Sequence, residues 1–486
     1  MKKRKTANLI VVLIIAAIVI AGVSAALMTR TAMGERLAIR YVIRKKQYGL
    51  ICRLCVIKWE KSESELKKML SEQMRETLKN SSAIRKMFIE GQELAEKVGA
   101  ENVFDFSLGN PVAPVPQAFT DALMDVIRSE DSLALHGYMN NAGYPEVRKA
   151  VADSLNRRFD LGLTGENIVM TVGAAGAINI VLRAILDIGD QVVAFRPYFG
   201  EYRNYVANWR GEIVEVDPRL PSFQPDLEDF GCKVGPRTKA VIINNPVNPS
   251  GVVYSAETLA SIAGILEEKQ KEYGHEIYLI SDEPYRELAY DGVDIPYVTK
   301  FYANTFVAYS FSKTLSIPGE RIGYLVISPE MEQWQEMANA ISVSNRICGY
   351  VNAPSLLQKA VARCLDEKCD VAFYDNNRKL LWGGLTELGF ECVKPEGTFY
   401  LFVKSPEPDE QAFVARAKAD NLDPCGRIHL RHAGLCPHCL LRLPGHHPPQ
   451  PAPLPGACRG VWTERVKLWK NPVCRELRYT GPFSYL

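Results

Sequence analysis

The sequence predicts an α/β protein built on a mostly parallel sheet, and three observations carry that reading. First, six short runs are nearly all apolar: Ile168 to Val172, Gln191 to Phe195, Ala240 to Ile243, Ile277 to Ile280, Phe306 to Tyr309 and Tyr324 to Ile327. Runs without polar alternation suit strands buried on both faces of a parallel sheet. Second, stretches of helical spacing lie between them, at Ala177 to Leu186 and at Ala256 to Tyr273. Ser255 is placed to cap the latter, with Glu257 in its first turn. Third, polar and glycine-containing turns follow several of the runs, at the carboxyl ends where an α/β sheet presents its ligands.

The totals set bounds on this. At 486 residues the chain is long enough for two or three domains, and 47% hydrophobic with 23% charged residues permits a large core. A stapled mini-scaffold and wholesale disorder are both excluded. Lys plus Arg number 58 against 56 acidic residues, so a net charge of +2 gives no field for steering toward nucleic acid. Twelve irregularly spaced cysteines read as reduced thiols rather than a disulfide framework.

At the N-terminus, Lys2, Lys3, Arg4 and Lys5 precede an uncharged run from Ala7 to Met28, long enough to span a bilayer. Arg30, Arg36, Arg40, Arg44, Lys45 and Lys46 follow it, and the slight excess of basic residues on that side favours a cytosolic main body behind an anchor at residues 7–28. Two other readings stay open. The basic start and Ser24, Ala25 and Ala26 also suit a secretory signal, and Met69 opens a plausible soluble chain. Cys52 and Cys55 form a CxxC with no second pair, which suits juxtamembrane thiols better than a zinc site or redox work.

The turns after the apolar runs hold the candidate chemistry. Gly173-Ala174-Ala175-Gly176-Ala177 runs straight into a helix, whose free N–H groups suit a phosphate but equally suit a plain tight turn. Arg196 to Tyr202 is an aromatic cluster that either covers a flat ring or packs as core. Asn244 to Gly251 contains two Asn-Pro steps and a glycine, which make a rigid polar turn. Asp282-Glu283-Pro284-Tyr285 puts a carboxylate and a phenol at a strand end, and Ser310-Phe311-Ser312-Lys313 precedes Pro318-Gly319-Glu320-Arg321.

In order and spacing these pieces resemble the class I/II aminotransferases, pyridoxal-phosphate enzymes of fold type I. The resemblance rests on NxPxNPxG at Asn244 to Gly251, DEPY at Asp282 to Tyr285, and SxSK with PGxRxG from Ser310 to Gly323. Leu108-Gly109-Asn110-Pro111, Tyr138 with Gly143 and Arg148, and Gly397-Thr398-Phe399-Tyr400 support it. It implies a homodimer of chains with a large cofactor domain and a smaller α+β domain. It also implies roles. Lys313 matches the lysine that holds pyridoxal 5'-phosphate as an internal aldimine and moves the substrate's α-proton. Asp282 matches the partner of the pyridine nitrogen, and Asn248 and Tyr285 match donors to the 3′ oxygen. Phe199 matches the ring stacked on the pyridine face. Ala174 and Ala175 with Ser310 and Arg321 match the phosphate cup, and Tyr138 a residue reaching the neighbouring subunit's phosphate. Gly109 and Asn248 match substrate contacts.

The implied organisation is an anchor and basic linker at 1–68, an N-terminal arm and part of the small domain at 69–115, a large domain at 116–330, a small domain at 331–422 and an aberrant tail at 423–486. The tail holds 5 of 12 cysteines, 5 of 7 histidines and 10 of 29 prolines, a composition that suits irregular chain and departs from the family. Cys436-Pro437-His438-Cys439 lacks a second ligand pair at finger-like spacing, so no metal site is expected. The family places here a strand whose arginine clamps the substrate carboxylate, and the written tail has none in that context. A one-base shift of the codons from Ala433 to Leu441 permits Pro-Gly-Tyr-Val-Arg-Ile-Ala-Tyr-Cys, which looks like that strand, so the tail reads as a shifted frame.

The resemblance implies an aminotransferase exchanging an amino group between an amino acid and a 2-oxo acid. A C–S β-lyase on the same scaffold and a membrane-tethered protein with a degenerate site are the alternatives.

Overall fold

The computed structural model describes residues 69–79 and 109–409, with isolated positions between 89 and 99 and at 412–413. The Ala7 to Met28 run, the Cys52 and Cys55 pair and the tail from Asp423 lie outside the described residues. Among the described residues no helix is long and apolar enough to cross a membrane. The chain divides into two compact units, Met1–Ser81 and Ser82–Leu486. The described part of the first is a short helix, Glu72–Lys79, braced by an Arg75–Glu72 ion pair of 2.7 Å.

The second unit is an α/β fold around a seven-stranded sheet. Its strands are β1 (Ile168–Thr171), β2 (Gln191–Phe195), β3 (Glu212–Val216), β4 (Thr238–Asn244), β5 (Tyr278–Asp282), β6 (Thr305–Ser310) and β7 (Gly323–Ile327), in the spatial order β1-β7-β6-β5-β4-β2-β3. From β3 through β6 all neighbours are parallel. The strand residues alternate between two cores: Ala240 and Ile242 pack on one side, Val241 and Ile243 on the other. Burial on both faces is why these strands read as unbroken apolar runs.

Two features depart from the sequence reading. The run Tyr324 to Ile327, grouped there with the parallel strands, is antiparallel to both β1 and β6. The chain returns through the short segment 311–322 rather than a long helical crossover, and only antiparallel strands can be joined so directly. Strand β3 was not anticipated. It is a sheet edge, its Glu-Ile-Val-Glu-Val is only partly covered, and its polar positions hide the strand signal.

Helix α1 (Gly173–Ile185) buries Ala177, Ile178, Val181 and Leu182 against one face of the sheet. Helix α2 (Ala256–Tyr273) covers the other with Leu259, Ile262 and Leu266. As expected, Ser255 caps α2, accepting from Thr258 N at 3.2 Å, and Gly274 ends it at φ 71°. After β7 come helices Trp334–Ile347, Ser355–Ala362 and α3 (Val371–Glu387). The chain then folds back: the Glu396 and Gly397 N–H groups donate to Gly251 O at 2.8 and 2.9 Å, and Thr398 N donates to Leu288 O at 2.9 Å. That return brings residues 398–400 to the carboxyl ends of the strands.

Candidate active site

The register of the parallel strands builds the site. Asn244, Asp282 and Ala308 lie side by side across β4, β5 and β6, and Ser310 lies two residues further along β6. The side chains that follow these positions therefore share one end of the sheet.

Asp282 is 6% exposed at the end of β5. Its Oδ2 accepts from the Tyr202 hydroxyl at 2.6 Å, while the buried Oδ1 has no partner among the described residues. Burial pushes the carboxyl up to about 7, the charge of Glu283 adds to the rise, and the Tyr202 bond opposes it. The main chain beside it is tied to the next strand, since Asn244 Nδ2 donates to Asp282 O at 2.6 Å. Behind it Glu283 is fixed by Ser281 Oγ at 2.7 Å and by Arg286, which also donates to Ile295 O and Pro296 O. This buried pair is fully hydrogen-bonded, the condition under which a charge is tolerated in a core.

Lys313 lies in the helical turn Phe311–Thr314, whose start is capped by Ser310 Oγ accepting from Ser312 N. Its Nζ donates to Gly109 O at 2.6 Å and lies 5.2 Å from the centre of the Phe399 ring and 5.9 Å from that of Tyr285. Burial lowers the amine from 10.5 to about 8, with a further push from the Arg321 charge. An amine that titrates near neutrality is a usable nucleophile and base.

A third group of residues surrounds the start of α1. A Cβ on Gly173, which sits at φ 80°, would meet Arg321 Nη2 at 3.0 Å and Ser310 Oγ at 3.4 Å. Backbone N–H groups at a helix start, a hydroxyl and a guanidinium therefore converge on one small space, a donor set suited to a phosphate. Gly323 is confined there as well, because a Cβ on it would fall 2.2 Å from Tyr309 O. Ala174 and Ala175 are the next residues of the helix start.

The remaining sequence-predicted residues fall less uniformly. Asn248 is half-buried in the turn after β4, its N–H donating to Asn244 Oδ1. Tyr285 is 3% exposed and its hydroxyl meets that of Tyr400 at 2.8 Å. Phe199 is 36% exposed, edge-on to Tyr202 with centroids 5.8 Å apart. Tyr138 is 96% exposed, so within one protomer it is no part of the buried site. Two contributors were not singled out from sequence: Tyr202, the partner of Asp282, and Tyr400, the partner of Tyr285. Tyr202 stands three residues after Phe199, and its N–H donates to Phe199 O at 3.0 Å, so the turn that places one ring places the other.

The family described as aminotransferase class I and II matches residues 101–430. The chain is 32% identical, over 61% of its length and 78% of the relative's, to an aspartate/prephenate aminotransferase of Thermus thermophilus. It is 30% identical to a probable N-acetyl-LL-diaminopimelate aminotransferase of Bacillus subtilis, over 62% of this chain and 74% of that one. Among solved structures it is similar to an aminotransferase from Eubacterium rectale, with 43% identity and a TM-score of 0.70 over 72% of this chain and 89% of that one. It is also similar to Thermus thermophilus aspartate aminotransferase with maleate, at 29% identity and a TM-score of 0.61 over 70% and 86% of the two chains.

Proposed function

The chain belongs to the class I and II aminotransferases, and from that membership we propose that Lys313, Asp282 and Tyr285 form its reacting centre. The protein is a pyridoxal-phosphate-dependent aminotransferase whose substrates are an amino acid and a 2-oxo acid. The observation that best supports the residue assignment is Asp282 Oδ1, a buried carboxylate oxygen left without a donor among the described residues at the end of a central strand. A protonated pyridine nitrogen would satisfy it. The donors around Gly173, Ser310 and Arg321 fit the phosphate of the same group.

When bound, pyridoxal phosphate supplies a conjugated ring that takes up the electron pair left as the α-proton departs. Asp282 would keep the ring nitrogen protonated, with Tyr202 holding the carboxylate in place. Tyr285 and Asn248 would donate to the ring's 3′ oxygen, and Phe199 would cover one face. Lys313, its amine dried by Phe399 and Tyr285, would carry the proton to and from the substrate carbon. Gly109, whose carbonyl already holds Lys313 Nζ, would border the substrate with Asn248. Tyr138 and the neighbouring Leu133, 96% and 86% exposed, would meet a second protomer in a homodimer. The tail as written would leave the substrate carboxylate without its arginine.

Borohydride reduction of the cofactor-loaded protein tests the centre. It should fix the label on Lys313, and label recovered on another lysine overturns the assignment. A donor screen beginning with acidic amino acids, which the names of the relatives suggest, should yield a new amino acid and a new 2-oxo acid. Pyruvate, ammonia and thiol from sulfur amino acids would assign lyase chemistry instead.

A further inference from the structure

The meeting of Tyr285 and Tyr400 joins residues 115 apart in the chain. Tyr285 follows β5, whereas Tyr400 arrives on the returning segment pinned through Glu396, Gly397 and Thr398. Thr398 has φ 63°, a left-handed conformation that a β-branched residue rarely adopts, and Tyr290 Oη donates to its carbonyl. The strained residue lies directly before Phe399 and Tyr400, which both reach the site. The approach also requires a glycine at 109, since a Cβ there would lie 2.0 Å from Tyr400 Oη. A constrained backbone and a missing side chain thus allow one hydroxyl to sit against another beside the reactive lysine.

A phenol has one proton to give and lone pairs to receive. The 2.8 Å contact can therefore run in either direction, and the two directions leave Tyr285 with opposite capacities. We propose that Tyr400 is a positioning residue acting through Tyr285: its hydroxyl donates to Tyr285 Oη, so that the single proton of Tyr285 is turned toward the ring oxygen of the bound cofactor. This rests on the cofactor reading above. The titratable groups facing Tyr285 are Asp282 on its own segment, Lys313 on the turn after β6, Tyr374 on α3 and Tyr400 itself. Only Tyr400 makes a hydrogen bond to the Tyr285 hydroxyl among the described residues.

Donation received by Tyr285 strengthens its own donation, since hydrogen bonds in series polarise one another. A stronger donor at the ring oxygen favours the oxygen's anionic form, and so lowers the pH at which the visible chromophore of the loaded protein loses its proton. The test is a spectral pH titration of cofactor-loaded protein, which needs no turnover. Tyr400→Phe should raise the midpoint by about half a unit, the scale of a modest change in one hydrogen bond. Tyr285→Phe should raise it further, and the double variant should not exceed Tyr285→Phe alone. Gly109→Ala, which displaces Tyr400 while keeping its hydroxyl, should shift the midpoint in the same direction as Tyr400→Phe. A midpoint that falls in Tyr400→Phe means that Tyr285 donates to Tyr400, and it overturns the proposal. A midpoint that does not move assigns Tyr400 to packing and overturns it as well. Parent protein that takes up no cofactor overturns the cofactor reading together with the relay, whereas a coloured parent with an unmoved variant overturns the relay alone.

Discussion

The Tyr202 hydroxyl donates to Asp282 Oδ2 at 2.6 Å, with Tyr202 fully buried and Oδ1 of the same carboxylate without a partner among the described residues. Two opposing effects meet in that bond. Burial and the neighbouring Glu283 charge bring the Asp282 carboxyl up to about 7, and the Tyr202 donor holds it from rising further. The tyrosine thus helps decide how much carboxylate exists at neutral pH.

Replacing Tyr202 with Phe should raise the Asp282 titration above 7 and reduce the carboxylate present at pH 7. Losing one hydrogen bond to a charged group is worth roughly 1.5–3 kcal/mol, so α-proton removal should slow by at least about tenfold. The activity profile should recover toward higher pH. Asp282→Ala should keep the cofactor and slow the same step by several orders of magnitude, and a loss below about tenfold in single-turnover measurements contradicts the role.

Lys313 should control the pH dependence of cofactor uptake. Its amine is lowered to about 8 by burial and by the Arg321 charge, and only the neutral amine attacks a carbonyl. Uptake by apoprotein should therefore accelerate as pH rises and level off above about 8. Arg321→Gln should move that midpoint upward, because a cation that disfavours the protonated amine is gone, and it should also weaken cofactor retention. A rate that is flat between pH 7 and 9 would count against this.

Residues 1–68 should be dispensable for catalysis, since every assigned ligand lies at or after Gly109. A chain beginning at Met69 should dissolve without detergent and bind cofactor. If it is insoluble or empty while the full chain is active, the N-terminal region has a structural role.

The chain as written should bind cofactor yet transaminate poorly. A bidentate arginine on a carboxylate is worth several kcal/mol of binding and orientation, so restoring the shifted frame should raise kcat/KM by on the order of a hundredfold. Sequencing independent clones across Leu422 and Asp423, with steady-state kinetics of both chains, decides it. An intact frame and full activity of the written chain refute the idea.

Much of this site was legible before any fold was known. Strands β2, β4, β5 and β6 announced themselves because both their faces are buried and their residues are uniformly apolar. The turns that follow them carry side chains whose types narrow the chemistry, and Lys313, Asp282 and Arg321 were singled out through the resemblance of those motifs to the family. The edge strand β3 escaped because partial exposure tolerates the two glutamates that break its apolar run. The direction of β7 escaped because an apolar run fits either ladder, and the choice lies in how the chain returns to the sheet.

What local sequence determined was which segments bury themselves and which residue types stand at the ends of the strands, because burial and turn chemistry act over a few residues. Pairings at long range were decided by the tertiary structure. Tyr202 reaches Asp282 across 80 residues, Lys313 reaches Gly109 across 204, and Tyr400 reaches Tyr285 across 115. No propensity or periodicity carries information over such separations. Nor could composition assign Tyr202 to a carboxylate rather than to the aromatic core around it. A phenol serves both uses, and only the packing of the helix Tyr202–Asn208 against α1 and β3 places one particular oxygen within hydrogen-bonding distance of it.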